Sequence, residues 1–366
     1  MNGSDAFESV VEGRAELSDE TALRILKLPE ADIAPVFEAA DRLNERLNGR
    51  RVSFIHNMNI NYTNICEYFC SFCEFGKSKS NPHTYILNAD DIRERMGAKT
   101  VSEITFQGGL SDRVKFDEVL ALMCAIKRFR PDVHLHAFSP EEIHYYAREK
   151  GLSYRETIGL AQRSGMDSMC GTAAEILDDE VREQICPTKI RTDTWLEIVR
   201  TAHQLGLRST ATIMFGHVEE PAHVVRHLAR IRDLQKQTGG FTEFIQLLFM
   251  PDKTRLGRRV RAIDRRFYAR KLIALARLYF STTIRNIQTS WVKLGLAEAL
   301  ACLEIGANDM GGTLYSENIT REAGGQNGEY TSLETFYDEI ARRGKIPVLR
   351  DTLYTHQHAE AAEFVA

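Results

Sequence analysis

Apolar and polar positions alternate along the chain with two different periods, and this predicts a regular succession of strands and helices. Stretches with period two, such as 54–61, 102–107 and 208–215, predict strands. Stretches with helical spacing, such as 115–128 and 222–237, predict helices. From residue 49 onwards the pattern gives eight strand–helix units. Alternation of this kind implies a parallel sheet, and eight units predict an α/β fold of the (β/α)8 TIM-type barrel class.

The ends of the chain lie outside this succession. Leucine and isoleucine at helical spacing up to about residue 48 predict an N-terminal helical extension. We therefore divide the chain into an extension over 1–48, a barrel over 49–325 and a C-terminal extension over 326–366 that packs on the barrel. No low-complexity linker and no short repeat interrupts the sequence.

Composition excludes several classes of protein. A formal net charge of −4 gives no electrostatic reason to expect a nucleic-acid or an anionic membrane partner. No apolar run approaches the roughly 20 residues that a membrane span needs, and the polar start of the chain lacks a signal-peptide core. The odd count of seven cysteines argues against a secreted disulfide scaffold. We therefore expect a cytoplasmic protein.

Three of those cysteines carry the clearest chemical signal. Cys66, Cys70 and Cys73 follow the first barrel strand with the spacing C-x3-C-x2-C. Thiolates suit a soft metal centre, and a 4Fe–4S cluster normally takes four of them. A cluster held by three would keep one iron open to another ligand. A structural zinc site needs a fourth protein ligand, and no second cysteine or histidine pair follows at zinc spacing. A non-catalytic metal-binding protein remains the alternative.

Other candidate residues fall where the predicted strands end, which is where barrels of this kind place their active sites. They are Gln107, Gly108 and Gly109 after the second strand, His136 in the third, Glu175 after the fourth, His217 and Glu219 after the fifth, Trp291 and Lys293 at the seventh, and Asn308, Asp309 and Thr313 at the eighth.

Each candidate also has a purely structural interpretation. The glycine pair 108–109 can form a tight turn, and Glu175 can stabilise a helix N-terminus. His217 has a side chain suited to proton transfer near neutrality, but barrel packing can also hold it. Trp291 can wall a pocket or fill the core.

The cysteine spacing, with Phe72 directly before the last cysteine, resembles the radical S-adenosylmethionine (SAM) family. The resemblance implies a 4Fe–4S cluster on Cys66, Cys70 and Cys73, with SAM bound to the open iron. It also implies a glycine pair that lets the backbone approach SAM. The residues that it assigns to cofactor binding are Phe72, Gln107, Gly108, Gly109 and Glu175.

Longer strings resemble one branch of this family, the deazaflavin-forming and futalosine-pathway enzymes. These strings lie at 59–66, 171–178, 185–189, 209–219 and 238–244. Within the branch, the stretches 171–175, 290–295 and 306–314 are similar to the family of the second FO synthase subunit. That likeness implies transfer of a 4-hydroxybenzyl radical, formed from L-tyrosine by Cα–Cβ cleavage, to 5-amino-6-(D-ribitylamino)uracil.

The same likeness implies partners, and the side chains at the predicted strand ends suggest roles. The partners are a one-electron donor such as ferredoxin or flavodoxin and the companion FO synthase subunit. The expected catalytic residues are His217, Glu219 and Lys293, and the expected substrate-binding residues are His136, Trp291, Asn308, Asp309 and Thr313.

The chain also departs from this family's pattern. Glu67 and Glu74 stand where smaller or apolar residues are expected around the cluster, and Cys170 stands where proline is expected. The stretch 250–256 looks more like the dehypoxanthine-futalosine cyclases. A futalosine-pathway cyclase or synthase, and a paralogue with a changed substrate, are therefore the alternative functions.

Overall fold

In the computed structural model, which describes residues 3–260, 263–355 and 357–358, helices and strands alternate as predicted. The strands are β1 (Arg51–Ile55), β2 (Asn57–Asn61), β3 (Glu103–Gln107), β4 (His134–Ala137), β5 (Ser168–Met169), β6 (Arg208–Phe215), β7 (Phe241–Leu248), β8 (Asn286–Thr289), β9 (Asp309–Gly312), β10 (Ile346–Arg350) and β11 (Gln357–His358).

The helices surround these strands. They are α1 (Gly3–Val11), α2 (Asp19–Lys27), α3 (Ala34–Asn48), α4 (Ala89–Met96), α5 (Phe116–Phe129), α6 (Pro140–Lys150), α7 (Tyr154–Arg163), α8 (Asp179–Ile185), α9 (Thr192–Gln204), α10 (Pro221–Thr238), α11 (Arg265–Tyr279), α12 (Trp291–Leu294), α13 (Leu296–Ala301), α14 (Ile319–Glu322) and α15 (Leu333–Arg342). None of the described helices is both long and apolar enough to cross a membrane.

All described strands join one curled sheet. Its order is β11-β10-β1-β9-β8-β7-β6-β5-β4-β3-β2, and its pairs are parallel except for β10 with β11. Only His56 separates β1 from β2 in the sequence, but these two strands do not pair with each other. Past β9, an isolated bridge joins Tyr315 to Met58 of β2. The sheet is therefore an irregular, barrel-like curl with additional strands, and the prediction of a regular closed (β/α)8 barrel is corrected to this coarser α/β architecture.

Strand periodicity decides which side chains the curl encloses. In β2, Met58 and Ile60 are buried in the apolar core, whereas Asn57, Asn59 and Asn61 point to the opposite face. The same alternation places Glu103, Thr105 and Gln107 of β3 on the enclosed face. We call the space that the inner faces of β1–β9 enclose the lumen. Its lining is polar where it borders β2 and β3.

An ion-pair network closes the lumen at the end where the strands begin. Arg350 of β10 donates from Nε to Asp309 at 2.6 Å, and both residues are buried. The Tyr354 hydroxyl contacts Asp309 at 3.0 Å and Glu243 at 2.9 Å. Burial raises the pKa of the Glu243 carboxyl, and the Arg350 charge offsets this only in part. This end of the lumen is therefore sealed by paired charges.

The terminal segments pack against this sheet and its helices. Helices α2 and α3 of the predicted N-terminal extension contact α11. The predicted C-terminal extension supplies α15 and also β10, which pairs with β1 and was not predicted as a strand. Part of that extension, residues 356 and 359–366, lies outside the described residues. The domain boundaries at 48 and 325 stay a prediction.

We expect the Arg350→Met substitution to lower the free energy of unfolding by about 3–5 kcal/mol, because it leaves Asp309 buried without its cationic partner. Urea denaturation of the anaerobic protein measures this change. The matched control is Arg342→Met, which removes a guanidinium that is two-thirds exposed on α15 and should leave stability nearly unchanged. Equal stability of the two variants would contradict the structural role of the Asp309–Arg350 pair.

Candidate active site

A cavity of about 260 Å³ opens where the strands end, on the side opposite the ion-pair network. It is bordered by the ends of β2, β3 and β6 and by the loops that follow β4, β5 and β8. Nine of the residues singled out from the sequence line it: Cys66, Cys70, Cys73, Phe72, Gln107, Gly108, Gly109, Glu175 and Lys293. The structure therefore brings together the predicted cluster ligands, the predicted cofactor-binding residues and one predicted catalytic residue.

Neighbouring loops fix the segment that carries the cysteines. The Ser71 N–H donates to the carbonyl of Ile185 at 3.0 Å, and the Ser71 carbonyl accepts from the Leu256 N–H at 2.8 Å. Phe69, between the first two cysteines, has a left-handed backbone with φ of 48°. A non-glycine residue adopts this conformation only where the surroundings hold it. The cysteine loop is therefore held in place by tertiary contacts rather than by its own helical or strand structure.

The three thiols are not gathered as closely as a single zinc ion would require. Among the described residues, only Asp178, Glu180 and His223 bring three ligand atoms within 4.8 Å of one another, so the sulfurs of the three cysteines are farther apart. Tetrahedral zinc, with zinc–sulfur bonds near 2.3 Å, requires sulfurs about 4 Å apart. A multi-iron cluster spans a wider set of thiolates. Asp178 itself is bound by Arg226 at 2.6 Å, which already neutralises that acidic group.

The structure gives Gly108 and Gly109 a packing role, while the approach of this glycine pair to SAM stays a prediction. A Cβ at Gly109 would lie 2.2 Å from the Ile65 carbonyl oxygen and 3.1 Å from Cys66 Cβ. A Cβ at Gly108 would lie 2.4 Å from the Tyr62 ring. Both N–H groups already donate within the protein, to Thr63 and to a carboxylate of α6. The glycines therefore allow β3 to pack tightly against the segment that leads into the cysteines.

That carboxylate belongs to Glu142, which the sequence predictions missed. One of its oxygens accepts from the Tyr62 hydroxyl at 2.9 Å and from the Gly108 N–H at 3.1 Å. The other accepts from the Ser139 N–H and hydroxyl. Burial raises the pKa of Glu142, and these donors oppose the shift. The pattern S-x-x-E at 139–142 is a capping-box signal. This pattern identifies the start of a helix, but it does not show that the Glu142 side chain also lines a cavity.

The loop that presents Glu175 is not helical, and α8 begins only at Asp179. Ala173 and Glu175 have left-handed backbones with φ of 62° and 46°. The buried guanidinium of Arg182 donates to the carbonyls of Ala173 and Ala174 at 3.2 and 2.6 Å. These contacts replace helical hydrogen bonds and hold the loop open towards the cavity.

Lys189, another residue that the predictions missed, pairs with Glu175. Its Nζ lies 2.7 Å from Glu175 Oε1, and each side chain is 13% exposed. Burial opposes the charge of Lys189, but the carboxylate of Glu175 and the Cys70 thiol outweigh it, so the pKa of the amine is raised. The same Nζ lies 5.5 Å from the centre of the Phe72 ring. Lys189 therefore connects the predicted cofactor-binding carboxylate to the cysteine loop.

Lys293 also reaches the cavity, and its amine is unpaired. Among the described residues its Nζ forms no hydrogen bond and no ion pair within 4 Å. Burial lowers the pKa of this amine, and the nearby Glu317 carboxylate opposes the shift. Trp291, in the same short helix, does not line the cavity. Its indole Nε1 donates to the Gly312 carbonyl at 2.9 Å, which gives it a structural position.

His217 and Glu219 do not line the cavity, although both were predicted as catalytic. Glu219 accepts from the N–H groups of Gly216 and His217 at 2.6 and 2.8 Å. The His217 side chain is fully buried, 3.1 Å from Glu219, and packs edge-on against Phe249. This pair shapes the loop after β6 and supports Phe249, which does line the cavity.

The remaining predicted substrate-binding residues lie away from the cavity lining. Asp309 begins β9 instead of ending a strand, so it lies in the sealing network described above. The Asn308 amide accepts from Arg277 at 2.6 Å, and the Thr313 hydroxyl donates to a carbonyl of β2 at 2.9 Å. His136 faces Ser168 at 2.6 Å, and burial lowers its pKa to about 4, so its imidazole is neutral near pH 7.

Comparisons with known proteins agree with this geometry. The sequence profile of the radical SAM superfamily matches residues 60–231, and that of the CofH/MqnC C-terminal region matches residues 238–362. Methylornithine synthase (PylB) superposes with a TM-score of 0.72 at 17% identity, covering 93% of this chain and 97% of its own. The FeFe-hydrogenase maturase HydG from Carboxydothermus hydrogenoformans gives 0.73 at 17% identity, covering 96% and 80%. The fold is thus that of a radical SAM enzyme.

Curated relatives narrow the assignment. The 5-amino-6-(D-ribitylamino)uracil–L-tyrosine 4-hydroxyphenyl transferase of Methanococcus maripaludis (strain C7) is 40% identical over 347 residues, 93% of this chain and 96% of the relative. The protein of the same name from Methanocaldococcus jannaschii is 41% identical over 347 residues, again 93% and 96%. The chain belongs to the family of these transferases, the CofH-type branch of the radical SAM superfamily.

We expect Gly109→Ala to reduce the iron bound per chain at least twofold after anaerobic reconstitution, because the new methyl group would displace the segment at Ile65 and Cys66. Iron analysis and the cluster absorbance measure this loss. In the control Gly159→Ala, the added Cβ meets only the end of the Arg163 side chain at 3.4 Å, so iron content should be unchanged. Full iron loading of Gly109→Ala would show that this close packing does not position the cysteines.

Proposed function

We propose that this chain is a radical SAM transferase that joins L-tyrosine to 5-amino-6-(D-ribitylamino)uracil in deazaflavin (FO) biosynthesis. The observation that carries the proposal is the likeness to relatives of that name over 93% of the chain. The cavity supports it, because the cysteines and an unpaired amine meet there. We further propose that the protein is cytoplasmic, takes electrons from a ferredoxin or flavodoxin, and acts with the companion FO synthase subunit.

The cofactors implied by the family are a 4Fe–4S cluster and SAM, and the cavity residues fit them. Cys66, Cys70 and Cys73 would hold the cluster, and the wall containing Gln107, Glu175 and Phe72 would contact SAM. When bound, the two cofactors supply a 5′-deoxyadenosyl radical, which is the chemistry that removal of a hydrogen atom from tyrosine requires.

The chain's own residues would orient the amino acid and exclude water. Lys293, whose amine has no partner among the described residues, would bind the tyrosine carboxylate. The Glu175–Lys189 pair would hold one wall at a fixed distance from the cysteine loop. Apolar side chains, including Phe72, Leu248 and Phe249, would shield the reacting atoms from solvent. Such positioning matters because a radical that drifts reacts with the wrong partner.

A futalosine-pathway cyclase or synthase is the second candidate function. The stretch 250–256 and the shared CofH/MqnC C-terminal region favour it. A paralogue with a changed substrate would be consistent with the same residues. A cyclase requires one nucleoside-like substrate and no free amino acid, so the two functions differ in what the enzyme consumes.

We expect Cys66→Ala, Cys70→Ala or Cys73→Ala to abolish 5′-deoxyadenosine formation from SAM and to lower bound iron from about four per chain. Anaerobic reconstitution with iron analysis and chromatography of the nucleoside measures both effects. Cys124→Ala is the matched control, since this thiol is exposed on α5 and should be dispensable. Zinc in place of iron in the wild-type protein would support the non-catalytic alternative.

We expect deoxyadenosine production by the reduced enzyme to rise when tyrosine is added, and the coupled hydroxybenzyl product to form only when the diaminouracil is also present. Mass spectrometry of reactions with each substrate alone and with both together measures this dependence. Turnover of dehypoxanthine futalosine, with none of the tyrosine–uracil pair, would overturn the proposal in favour of the second candidate.

A further inference from the structure

The lumen directly below the cavity is polar, which is unusual for a barrel-like sheet. Interiors of this kind are generally filled by layers of bulky branched side chains. Here Asn59 of β2 is in register with Thr105 of β3, and Thr105 is in register with His136 of β4. On the other side of the curl, Gln288 of β8 lies on the inner face, in register with Ile245 of β7 and with Asp309 of β9. We call this set of inward-facing amide, hydroxyl and imidazole side chains, on both sides of the curl, the lumen level.

This level is incompletely filled by the protein. Asn59, Thr105 and Gln288 are partly accessible although they lie on the inner face of the sheet. The side-chain oxygens of Asn59 and of Asn61, which also lines the cavity, are buried and have no hydrogen-bond partner in the described part of the chain. Buried acceptors left unpaired are costly, so groups that donate to them from a ligand would be favoured.

Gln288 is oriented by its own contacts. Its amide nitrogen donates to Glu243 at 2.7 Å, which leaves its carbonyl oxygen without a donor among the described residues. That oxygen lies 3.1 Å from where a Cβ of Gly311 would stand, so the absence of a side chain at residue 311 keeps the space beside it clear. The glutamine therefore presents a fixed acceptor to the lumen.

Charge divides the site into two levels. The cavity above carries Lys293, Glu141 and the Glu175–Lys189 pair, which suit a ligand with an ammonium and a carboxylate. The side chains of the lumen level are themselves uncharged, since burial keeps His136 neutral near pH 7, and the Glu103 and Glu243 carboxylates beside them already accept hydrogen bonds from Asn57 and Gln288. A zwitterion would be poorly solvated there, whereas a ring with alternating N–H and C=O groups and a hydroxylated chain would find matching partners.

We propose that the lumen level formed by Asn59, Asn61, Thr105, His136 and Gln288 is the subsite for the ribitylaminouracil, and that tyrosine binds above it beside Lys293. This assignment rests on the proposed function. It places the two substrates one above the other along the axis of the curl. A hydroxybenzyl group released in the cavity would then meet the uracil ring without leaving the protein.

The test is substrate-specific kinetics of Gln288→Leu and of the nearly isosteric Thr105→Val, in enzyme with its cluster reconstituted. We expect each to raise the KM for the diaminouracil about tenfold, as expected for one lost hydrogen bond. The KM for tyrosine and for SAM should stay within twofold of wild type. The ratio of coupled product to deoxyadenosine should fall at subsaturating diaminouracil, because tyrosine would still be activated.

The matched control is Gln237→Leu, which makes the same chemical change on α10, outside the lumen, and should alter no KM. Iron content and circular dichroism report whether each variant is folded. Unchanged uracil KM in both folded lumen variants, or an equal rise in the tyrosine KM, would overturn the subsite while leaving the proposed function intact. A wild-type enzyme that does not couple the tyrosine–uracil pair would instead overturn the proposed function itself.

Discussion

The need to give every buried polar group a partner governs this structure, because the inner face of the curled sheet is lined with such groups. At one end of the lumen, Arg350 of β10 donates a hydrogen bond to Asp309. At the other end Glu142 collects the donors of Tyr62 and Gly108. Between these ends several acceptors are left unpaired, and they are the groups to which we assign a ligand. Stability and recognition thus depend on the same polar lining.

The site itself is held by contacts between segments that are distant in the sequence. Arg182 keeps the loop before α8 from becoming helical, and Lys189 then fixes Glu175 against the cysteine loop. The glycine pair at 108–109 lets β3 press against the same loop from another side. Because each wall is supported by a separate element, the cavity is largely preorganised for its ligands before they bind.

Local signals in the sequence predicted local features well. The alternation over 208–215 gave β6 with its correct bounds, and the spacing of the cysteines placed all three in one cavity. The predictions were wrong where contacts between residues distant in the sequence determine the local structure. Contacts of Arg182 with backbone carbonyls hold the loop before α8 out of a helix, and β10 is a strand because it pairs with β1. Asp309 was expected where a strand ends, but it begins β9, so its side chain lies at the sealed end and not at the cavity.

The position of β1 in the sheet affects the order in which the chain folds. Arg51 of β1 is in register with Ile346, and Ser53 with Asp309, so both neighbours of this strand come from the far end of the sequence. Pairings of such high contact order form slowly and late. During synthesis the first strand must wait until nearly the whole chain has emerged. The segment that carries the cysteines, which follows β2 directly, therefore stays beside an open sheet edge until the last strands arrive.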